Sequence, residues 1–411
     1  MYTDDRTTYN EGSHHKTAGS SSRVRVHRAE PIRAAFVTNL CPHYRVKSFE
    51  TLSQSCDVDF YFYSGGDEWY WQANHGVRVG SFRHTYLSGF HLTPRIRVVP
   101  SLITRLWQQE YDVYVKCING RFALPVTYLI ARLRRKPFIL WTGIWMSLAT
   151  RFHRFVFPLT RWIYQHADAI VVYGEHVKRY LVTLDVPAQR IFVAHHAVDN
   201  SAYNQPVPEN AKRALRSKLG LENHRIVLYL GRLEAIKGLG YLLEAAAHIN
   251  VPDAALVIAG EGSLRRELEN QARRLGIHER TRFSGYVKAE EAPVYYALAD
   301  LLVLPSVTMP TGKETWGLVV NEAMNQGVPV IATDAVGAAA GGLVQDGVNG
   351  LVVRERDSSA LADAIARILN DDGLRAGMSR NARRIIAGWN NERMVQGFQE
   401  AIAYALNKRQ R

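Results

Sequence analysis

Two glutamates, Glu314 and Glu322, flank the start of a predicted helix in the segment SVTMPTGKETWGLVVNEAMNQGVPVIATD, residues 306–334. Residues 317–326 have the apolar spacing of a helix, and the β-branched run that follows predicts a buried strand. Free backbone N–H groups and the dipole at a helix N-terminus favour an anion. A carboxylate beside such a site is tolerable when it accepts hydrogen bonds from hydroxyl groups, so the segment indicates a ligand with both phosphate and hydroxyl groups. An acid in the first helical turn followed by a solvated helix Glu is the alternative that the segment alone leaves open.

A second group of residues could bind a diphosphate. Gly231, Arg232 and Lys237 follow a predicted buried strand, residues 225–230, and precede a predicted helix. Gly231 lets the backbone approach a ligand, Arg232 offers a planar fork of donors, and Lys237 offers a point charge. The next predicted strand ends at Gly260. Because the carboxyl ends of strands in an open parallel sheet form the ligand crevice, these loops are expected to meet at one edge.

Several short motifs follow one another between residues 231 and 333. They are GRL with KG (231–233 and 237–238), GEG (260–262), FSGYV (283–287), LPS (304–306), ETWG with EAM (314–317 and 322–324) and GVPVIAT (327–333). In this order they resemble the donor half of the retaining GT-B glycosyltransferases of family 4. The resemblance covers nearly all of residues 220–355 and extends more loosely from residue 31 to the C-terminus. It implies an α/β fold of the GT-B type, in which two Rossmann-like, doubly wound domains face each other across a cleft.

The resemblance also implies an activity: transfer of a hexose from a nucleotide-diphosphate sugar, a GDP- or UDP-sugar, to a glycan, lipid-linked or other anionic acceptor in cell-surface glycan biosynthesis. By this resemblance Arg232 and Lys237 hold the donor diphosphate, Glu314 binds hydroxyls of the transferred sugar, and Glu322 holds the ribose. Arg232, Lys237 and Glu314 are the expected catalytic residues. The expected donor-binding residues are Gly231, Arg232, Lys237, Gly260, Val287, Glu314, Thr315, Trp316, Gly317, Leu318 and Glu322.

No metal or other cofactor is expected besides the nucleotide sugar. In a front-face retaining transfer the leaving phosphate can accept the acceptor's proton, so the main task of the protein is to stabilise charge on the diphosphate. Asp57 and Asp59 match the Asp-x-Asp metal motif of another glycosyltransferase class, but they open a strand in the wrong domain. We therefore assign no metal site.

The acceptor side is marked by the segment of residues 39–45, which resembles the acceptor-side loop of the family without its usual glycine-rich form. The expected acceptor-side residues are His43, Tyr44, Arg45, Thr142 and Gly143. Many family members place a histidine after a strand of the first domain, close to the reacting carbon. Here residues 140–145 read LWTGIW and the next histidine is His153, so no catalytic histidine is assigned.

Predicted strands and helices alternate along the chain, which is the pattern of doubly wound α/β proteins. We expect a disordered polar tail at 1–30, an acceptor-side Rossmann-like domain at 31–200, a linker at 199–208, a donor-binding Rossmann-like domain at 209–388, and a C-terminal helix at 389–411 that crosses back to the first domain.

The positive charge is concentrated in one half of the chain. Residues 69–167 hold fourteen Lys and Arg and two acids, while the net charge of all 411 residues is +13. Within this basic window, Arg132, Arg134, Arg135 and Lys136 lie near many aromatic residues. The mixture suits an anionic membrane surface or anionic acceptor, a solvated basic face, or, least of all, nucleic acid.

Composition indicates a folded chain of two domains in a reducing compartment, since the three cysteines have no metal or redox spacing. Residues 1–30 lack the apolar stretch of a secretory signal, and the longest apolar runs are too short to span a membrane. We expect a cytoplasmic protein, peripheral on the inner face of the cell membrane. Two alternatives remain open: a nucleotide-sugar epimerase or hydrolase of the same fold, and a non-catalytic nucleic-acid-binding protein.

Overall fold

A computed structural model of the chain describes residues 31–64, 80–93 and 96–410. The tail predicted at 1–30 lies outside the described residues, as do residues 69–79, 94 and 95 of the basic window.

The strands of the described residues are β1 (Arg33–Thr38), β2 (Asp57–Phe62), β3 (His84–Tyr86), β4 (Phe90–Thr93), β5 (Ile96–Val98), β6 (Val113–Cys117), β7 (Phe138–Thr142), β8 (Ala169–Val172), β9 (Ile191–Val193), β10 (Arg225–Leu230), β11 (Ala254–Ala259), β12 (Thr281–Gly285), β13 (Leu301–Leu304), β14 (Val330–Thr333) and β15 (Gly350–Val353).

The helices are α1 (Val46–Ser53), α2 (Pro100–Gln108), α3 (Ala123–Leu133), α4 (Arg151–His166), α5 (Glu175–Val182), α6 (Asn200–Tyr203), α7 (Glu209–Leu219), α8 (Leu239–His248), α9 (Arg265–Arg274), α10 (Ala292–Leu298), α11 (Val319–Asn325), α12 (Gly337–Ala340), α13 (Ser358–Asn370), α14 (Asp372–Ile386) and α15 (Asn391–Gln410). In the part of the chain that the structure describes, no helix is both long and apolar enough to cross a bilayer.

Two parallel sheets organise the fold. The first has the strand order β3-β2-β1-β6-β7-β8-β9 and the second the order β12-β11-β10-β13-β14-β15. Strands β6, β7, β13 and β14 are buried at every residue, because helices cover both faces of a doubly wound sheet. The predicted α/β class with two Rossmann-like halves is therefore confirmed. An antiparallel pair, β4 with β5, was not predicted.

The C-terminal helix α15 packs on the first sheet, far from it in sequence. Met394, Phe398 and Ile402 join one core of that sheet, together with residues of β1, β2 and β6–β8. Gly397 permits the close approach, since a Cβ there would lie 2.5 Å from the carbonyl oxygen of Val193. The last helix of the chain thus completes the apolar core of its first half.

Two element boundaries differ from the sequence expectations. The helix predicted over residues 317–326 is shorter, because Gly317 has a φ of +90° and the helix starts at Val319. The predicted linker at 199–208 contains α6, which begins where the Asp199 side chain accepts a hydrogen bond from the backbone N–H of Ser201 at 3.1 Å.

Candidate active site

The donor-side residues converge at the point where the strand order of the second sheet reverses. From β10 the chain proceeds outward through β11 and β12, and from β13 it proceeds in the opposite direction through β14 and β15. The loops after β10 and β13 therefore leave neighbouring strands and enclose a crevice at their carboxyl ends. Lys237 comes from the first loop and Glu314 from the second.

Lys237 and Glu314 form an ion pair at this position, with their side chains 13% and 14% exposed. Ser306 also donates its hydroxyl to Oε2 of Glu314 at 3.3 Å. Burial acts to raise the pKa of Glu314, but Lys237, the Ser306 hydroxyl and Arg232 together lower that pKa below its ordinary value. The carboxylate is therefore ionised at neutral pH and can accept hydrogen bonds from sugar hydroxyls.

Arg232 extends the positive charge of the site towards the first half of the molecule. Its side chain is 49% exposed, and Nη1 donates to Oε1 of Glu234 at 2.8 Å. Burial raises the pKa of Tyr44, and the charges of Arg45 and Arg232 oppose that rise. Arg232 from the donor side and Tyr44 from the acceptor side therefore lie close enough to interact across the cleft.

Gly231 and Gly260 bring two loops of the donor side into close contact. A Cβ on Gly260 would lie 1.8 Å from the carbonyl oxygen of Gly231, and Gly260 has a φ of +147°. Any other residue at Gly260 would separate the loops that follow β10 and β11. Val287 follows β12 at the same edge, where it is half-buried against the core of the second half.

Glu322 has partners of its own on α11. Its Oε2 accepts a hydrogen bond of 2.6 Å from the Tyr296 hydroxyl, and the Tyr203 hydroxyl also bonds to this carboxylate. Burial raises the pKa of Glu322, while the two hydroxyl groups oppose the rise. Neither tyrosine was singled out from the sequence, because both lie far from Glu322 along the chain. The ribose-binding role of Glu322 stays a prediction.

The residues after Glu314 contribute mainly structure. The Trp316 indole is buried and donates from Nε1 to Oδ1 of Asn321 at 2.8 Å. Its ring packs against Trp389 at a centroid distance of 5.5 Å. The Trp316 side chain is therefore part of the core, whereas Thr315 is exposed and Gly317 and Leu318 are half-buried.

A loop of the first half, residues 143–150, contacts the donor loop directly. Trp145 donates from Nε1 to the carbonyl oxygen of Glu314 at 3.1 Å. The ammonium group of Lys313 lies 4.5 Å from the centroid of the same ring. The backbone N–H of Ala149 donates to the carbonyl oxygen of Pro310 at 2.8 Å. Sequence reasoning missed this contact, although Trp145 stands in the segment searched for a histidine.

Two of the expected acceptor-side residues lie below the surface. Arg45 is buried, where Nη2 lies 3.0 Å from Nε2 of His196 and the guanidinium lies 4.4 Å from the centroid of the Trp141 ring. Thr142 is also buried, and its Oγ1 accepts the backbone N–H of Ile144 at 3.2 Å. Both side chains are therefore enclosed by other residues of the protein.

The other three expected acceptor-side residues differ in exposure. Tyr44 and His43 are half-buried, while Gly143 is buried beside the Tyr173 ring. Lys116, which the sequence did not mark, is the last residue but one of β6 and donates from Nζ to the carbonyl oxygen of Asn119 at 2.7 Å. Burial lowers the pKa of Lys116 to about 7.

The two carboxylates of the Asp-x-Asp pattern form ion pairs with arginines. Arg33 Nη2 lies 3.4 Å from Asp59 Oδ2, and Arg83 forms ion pairs with both Asp57 and Asp59. Within the described ranges, no group of three or more His, Cys, Asp or Glu side chains could hold a metal ion.

The chain matches two family models. Residues 211–385 match the family described as glycosyl transferases group 1, and residues 50–202 match glycosyltransferase family 4.

Relatives with described activities share part of the chain. An alpha-D-kanosaminyltransferase of Streptomyces kanamyceticus is 31% identical over 66% of this chain and 71% of its own length. A D-inositol 3-phosphate glycosyltransferase of Xylanimonas cellulosilytica is 33% identical over 59% of this chain and 58% of its own. Among solved structures, Anabaena Alr3699/HepE in complex with UDP-glucose superposes with a TM-score of 0.71 at 21% identity, covering 90% of this chain and 99% of that chain. The likeness to this structure shows the fold, and the sequence matches show the family. The chain belongs to family 4 of the GT-B glycosyltransferases.

Proposed function

We propose that this glycosyltransferase transfers a hexose from a GDP- or UDP-sugar with retention of anomeric configuration and without a metal ion. The observation that carries the proposal is the ion pair between Lys237 and Glu314 at the switch point of the second sheet, with Arg232 beside it. An ionised carboxylate and two cations within one crevice match the hydroxyl groups and the diphosphate of a nucleotide sugar. The UDP-glucose bound by Anabaena HepE supports a nucleotide sugar as the donor.

The chemistry follows from the charges of these residues. On donor binding, Lys237 can turn from Glu314 to a phosphate oxygen, which leaves the carboxylate to accept hydroxyl groups of the sugar. The bond between the sugar C1 and the diphosphate oxygen breaks, and C1 bonds to the acceptor oxygen on the same face. The acceptor's proton passes to the leaving phosphate oxygen. Arg232 and Lys237 stabilise the negative charge that grows on that phosphate, in place of a metal ion.

The acceptor is proposed to be a glycan or lipid-linked molecule met at the cytoplasmic face of the membrane. Helix α4 supports this, because Phe155 is 85% and Trp162 is 44% exposed on a helix that also carries the exposed Arg151 and Arg154. Such a mixture suits an interface of anionic headgroups and acyl chains. A phosphorylated acceptor also appears in the name of the relative from Xylanimonas cellulosilytica.

The basic cluster singled out from the sequence is a weaker part of this surface. Arg132 forms an ion pair with Asp168 at 2.8 Å, and Arg134 forms one with Glu110. Two of its four cations are thus already neutralised by acids of the same half. We therefore assign the membrane contact to α4 rather than to residues 132–136.

The test is a donor assay with purified protein. Thermal shift with UDP, GDP and their hexose conjugates identifies the base, since a ligand at about 100 times its Kd adds roughly 2.7 kcal/mol. Transfer to lipid-linked acceptors in the presence of a chelator, followed by NMR of the anomeric proton, then reports mechanism and metal dependence. Lys237→Ala should lower turnover on the order of a hundredfold.

Three results would contradict the proposal: an inverted product, a strict metal requirement, or near-normal turnover of Lys237→Ala. Release of free hexose or an isomerised nucleotide sugar with every acceptor tried would favour the hydrolase or epimerase alternative.

A further inference from the structure

A cavity of about 480 Å³ lies beside the cleft, between α3, α4 and the loop of residues 143–150. It belongs to the first half of the molecule and includes none of the donor-binding residues. We propose that this cavity binds the apolar chain of a phosphate-bearing lipid acceptor while the head group of the lipid lies in the cleft. The inference rests on the proposed function and names the acceptor class of that site.

The lining of the cavity selects an apolar occupant. Most of its walls are hydrocarbon, including Leu124, Met146, Leu148, Val156, Phe157 and Ile163. Its volume lies in the range of roughly 300–1,000 Å³ that is usual for small-molecule sites. A sugar bound against these walls would lose the hydrogen bonds of its hydroxyl groups to water and regain few of them. A hydrocarbon chain makes no hydrogen bonds to water and therefore loses none in the cavity.

The cavity adjoins the sugar-binding end of the donor site through one loop. Met146 and Leu148 line the cavity, while Trp145, between Ile144 and Met146 in sequence, donates to the backbone carbonyl of Glu314 at 3.1 Å. Asn119, in the loop that follows β6, also lines the cavity. A chain held here therefore places its head group near the carboxylate that is proposed to bind the transferred sugar.

The cavity also reaches the outer surface of α4. Leu159 lines the cavity and is 53% exposed, and Phe155 and Trp162 lie four residues before it and three residues after it on the same helix. This spacing places the three side chains on one face of α4. Leu159 thus connects the apolar surface of α4 to the cavity, and we expect a lipid chain to enter past it.

A cation in the lining indicates the charge of the head group. Arg121 lines the cavity with its guanidinium 3.6 Å from the centroid of the Phe152 ring, which is another lining residue. A guanidinium presents planar donors that fit a phosphate group. Apolar walls with an arginine at one side therefore match a hydrocarbon chain that ends in a phosphate.

The experiment measures chain binding without donor or turnover. A fluorescent probe, 11-(dansylamino)undecanoic acid, is bound to the full chain and displaced by dodecyl phosphate or by butyl phosphate. Because each buried methylene raises affinity by up to roughly fourfold, dodecyl phosphate should displace the probe at least a hundredfold better than butyl phosphate. Equal displacement by the two phosphates would overturn the proposal, and this measurement needs no variant.

Variants locate the binding site. Val156→Trp and Leu124→Trp place an indole in the cavity and should each weaken probe binding at least tenfold. Leu133→Ser is the control, since Leu133 is exposed at the end of α3 and does not line the cavity. Its probe affinity should stay within about twofold of the original. Probe binding that survives both indole substitutions, or that Leu133→Ser abolishes, would refute the cavity as the site.

Nucleotide binding, measured by thermal shift on the same proteins, separates this inference from the proposed function. Loss of probe binding with intact nucleotide binding supports the cavity. A protein that binds the probe as expected but no nucleotide sugar would refute the proposed function alone.

Discussion

Replacing Lys237 by Met removes the cation of the buried ion pair and leaves the Glu314 carboxylate almost unexposed. Breaking a buried pair on one side typically costs about 3–5 kcal/mol of unfolding free energy, because the remaining charge loses its partner. Ser306 and Arg232 still act on the carboxylate, so we expect the lower end, about 3 kcal/mol at pH 7. The double variant Lys237→Met with Glu314→Gln removes both charges and should recover most of this loss.

The stability lost in Lys237→Met should depend on pH, because it depends on the ionisation of Glu314. In the original protein the pKa of Glu314 is depressed, so the pair contributes stability above the ordinary glutamate pKa, and this is lost as pH falls through the lower folded value. In Lys237→Met the main opposing charge is gone, and burial then raises the pKa of Glu314. The free energy of unfolding of the variant should therefore fall further below that of the original protein as pH rises from 4 to 7. Towards pH 4 the two free energies should become more similar.

Urea denaturation at pH 4, 5, 6 and 7 provides the measurement. Arg232→Met is the control, since the side chains of Arg232 and its partner Glu234 are 49% and 35% exposed, and ion pairs open to solvent contribute about 0–1 kcal/mol. A loss below about 1 kcal/mol in Lys237→Met, with no dependence on pH, would show that the pair is not a desolvated one.

The two carboxylates and the surface of α4 provide further predictions. Glu314→Gln should impair hexose transfer more than nucleotide binding, whereas Glu322→Gln should weaken nucleotide binding, as calorimetric titration with UDP and GDP can measure; equal losses of nucleotide affinity would refute the division of roles. The double variant Arg151→Gln with Arg154→Gln should bind anionic vesicles more weakly by roughly 2 kcal/mol, about thirtyfold in affinity, as vesicle sedimentation can measure. Vesicle binding by the original protein should fall as the salt concentration rises. Unchanged vesicle binding in this double variant would remove α4 from the membrane contact.

The sequence was sufficient for the fold class, whereas the donor-binding roles of its motif residues stay predictions. Lys237 and Glu314 stand in motifs with strong local signals, such as the glycine turn after β10 and the helix that carries Glu322. Their contact with each other was not predictable in the same way. It depends on β10 and β13 being neighbours, and Val227 pairs with Leu301 although 74 positions separate them.

For the same reason, local sequence patterns could not predict the contacts between the two halves. Trp145 and Glu314 are in contact although 169 positions separate them in the sequence. The sequence shows a tryptophan in a loop but does not show which group its Nε1 binds. Arg45 is a further example. Its place in an acceptor-like loop did not indicate that the aromatic rings of Trp141 and Tyr173 enclose its guanidinium.

The position of α15 has a consequence for the synthesis of the protein. The first sheet ends at Val193, yet the helix that covers one of its faces begins at Asn391, so about 200 residues must be translated in between. At roughly 5–20 residues per second, this leaves the apolar surface around Phe36 and Trp141 without its cover for about 10–40 s on the ribosome. The nascent first half therefore lacks part of its apolar core until α15 has been synthesised, so we do not expect the two halves to mature as independent folding units.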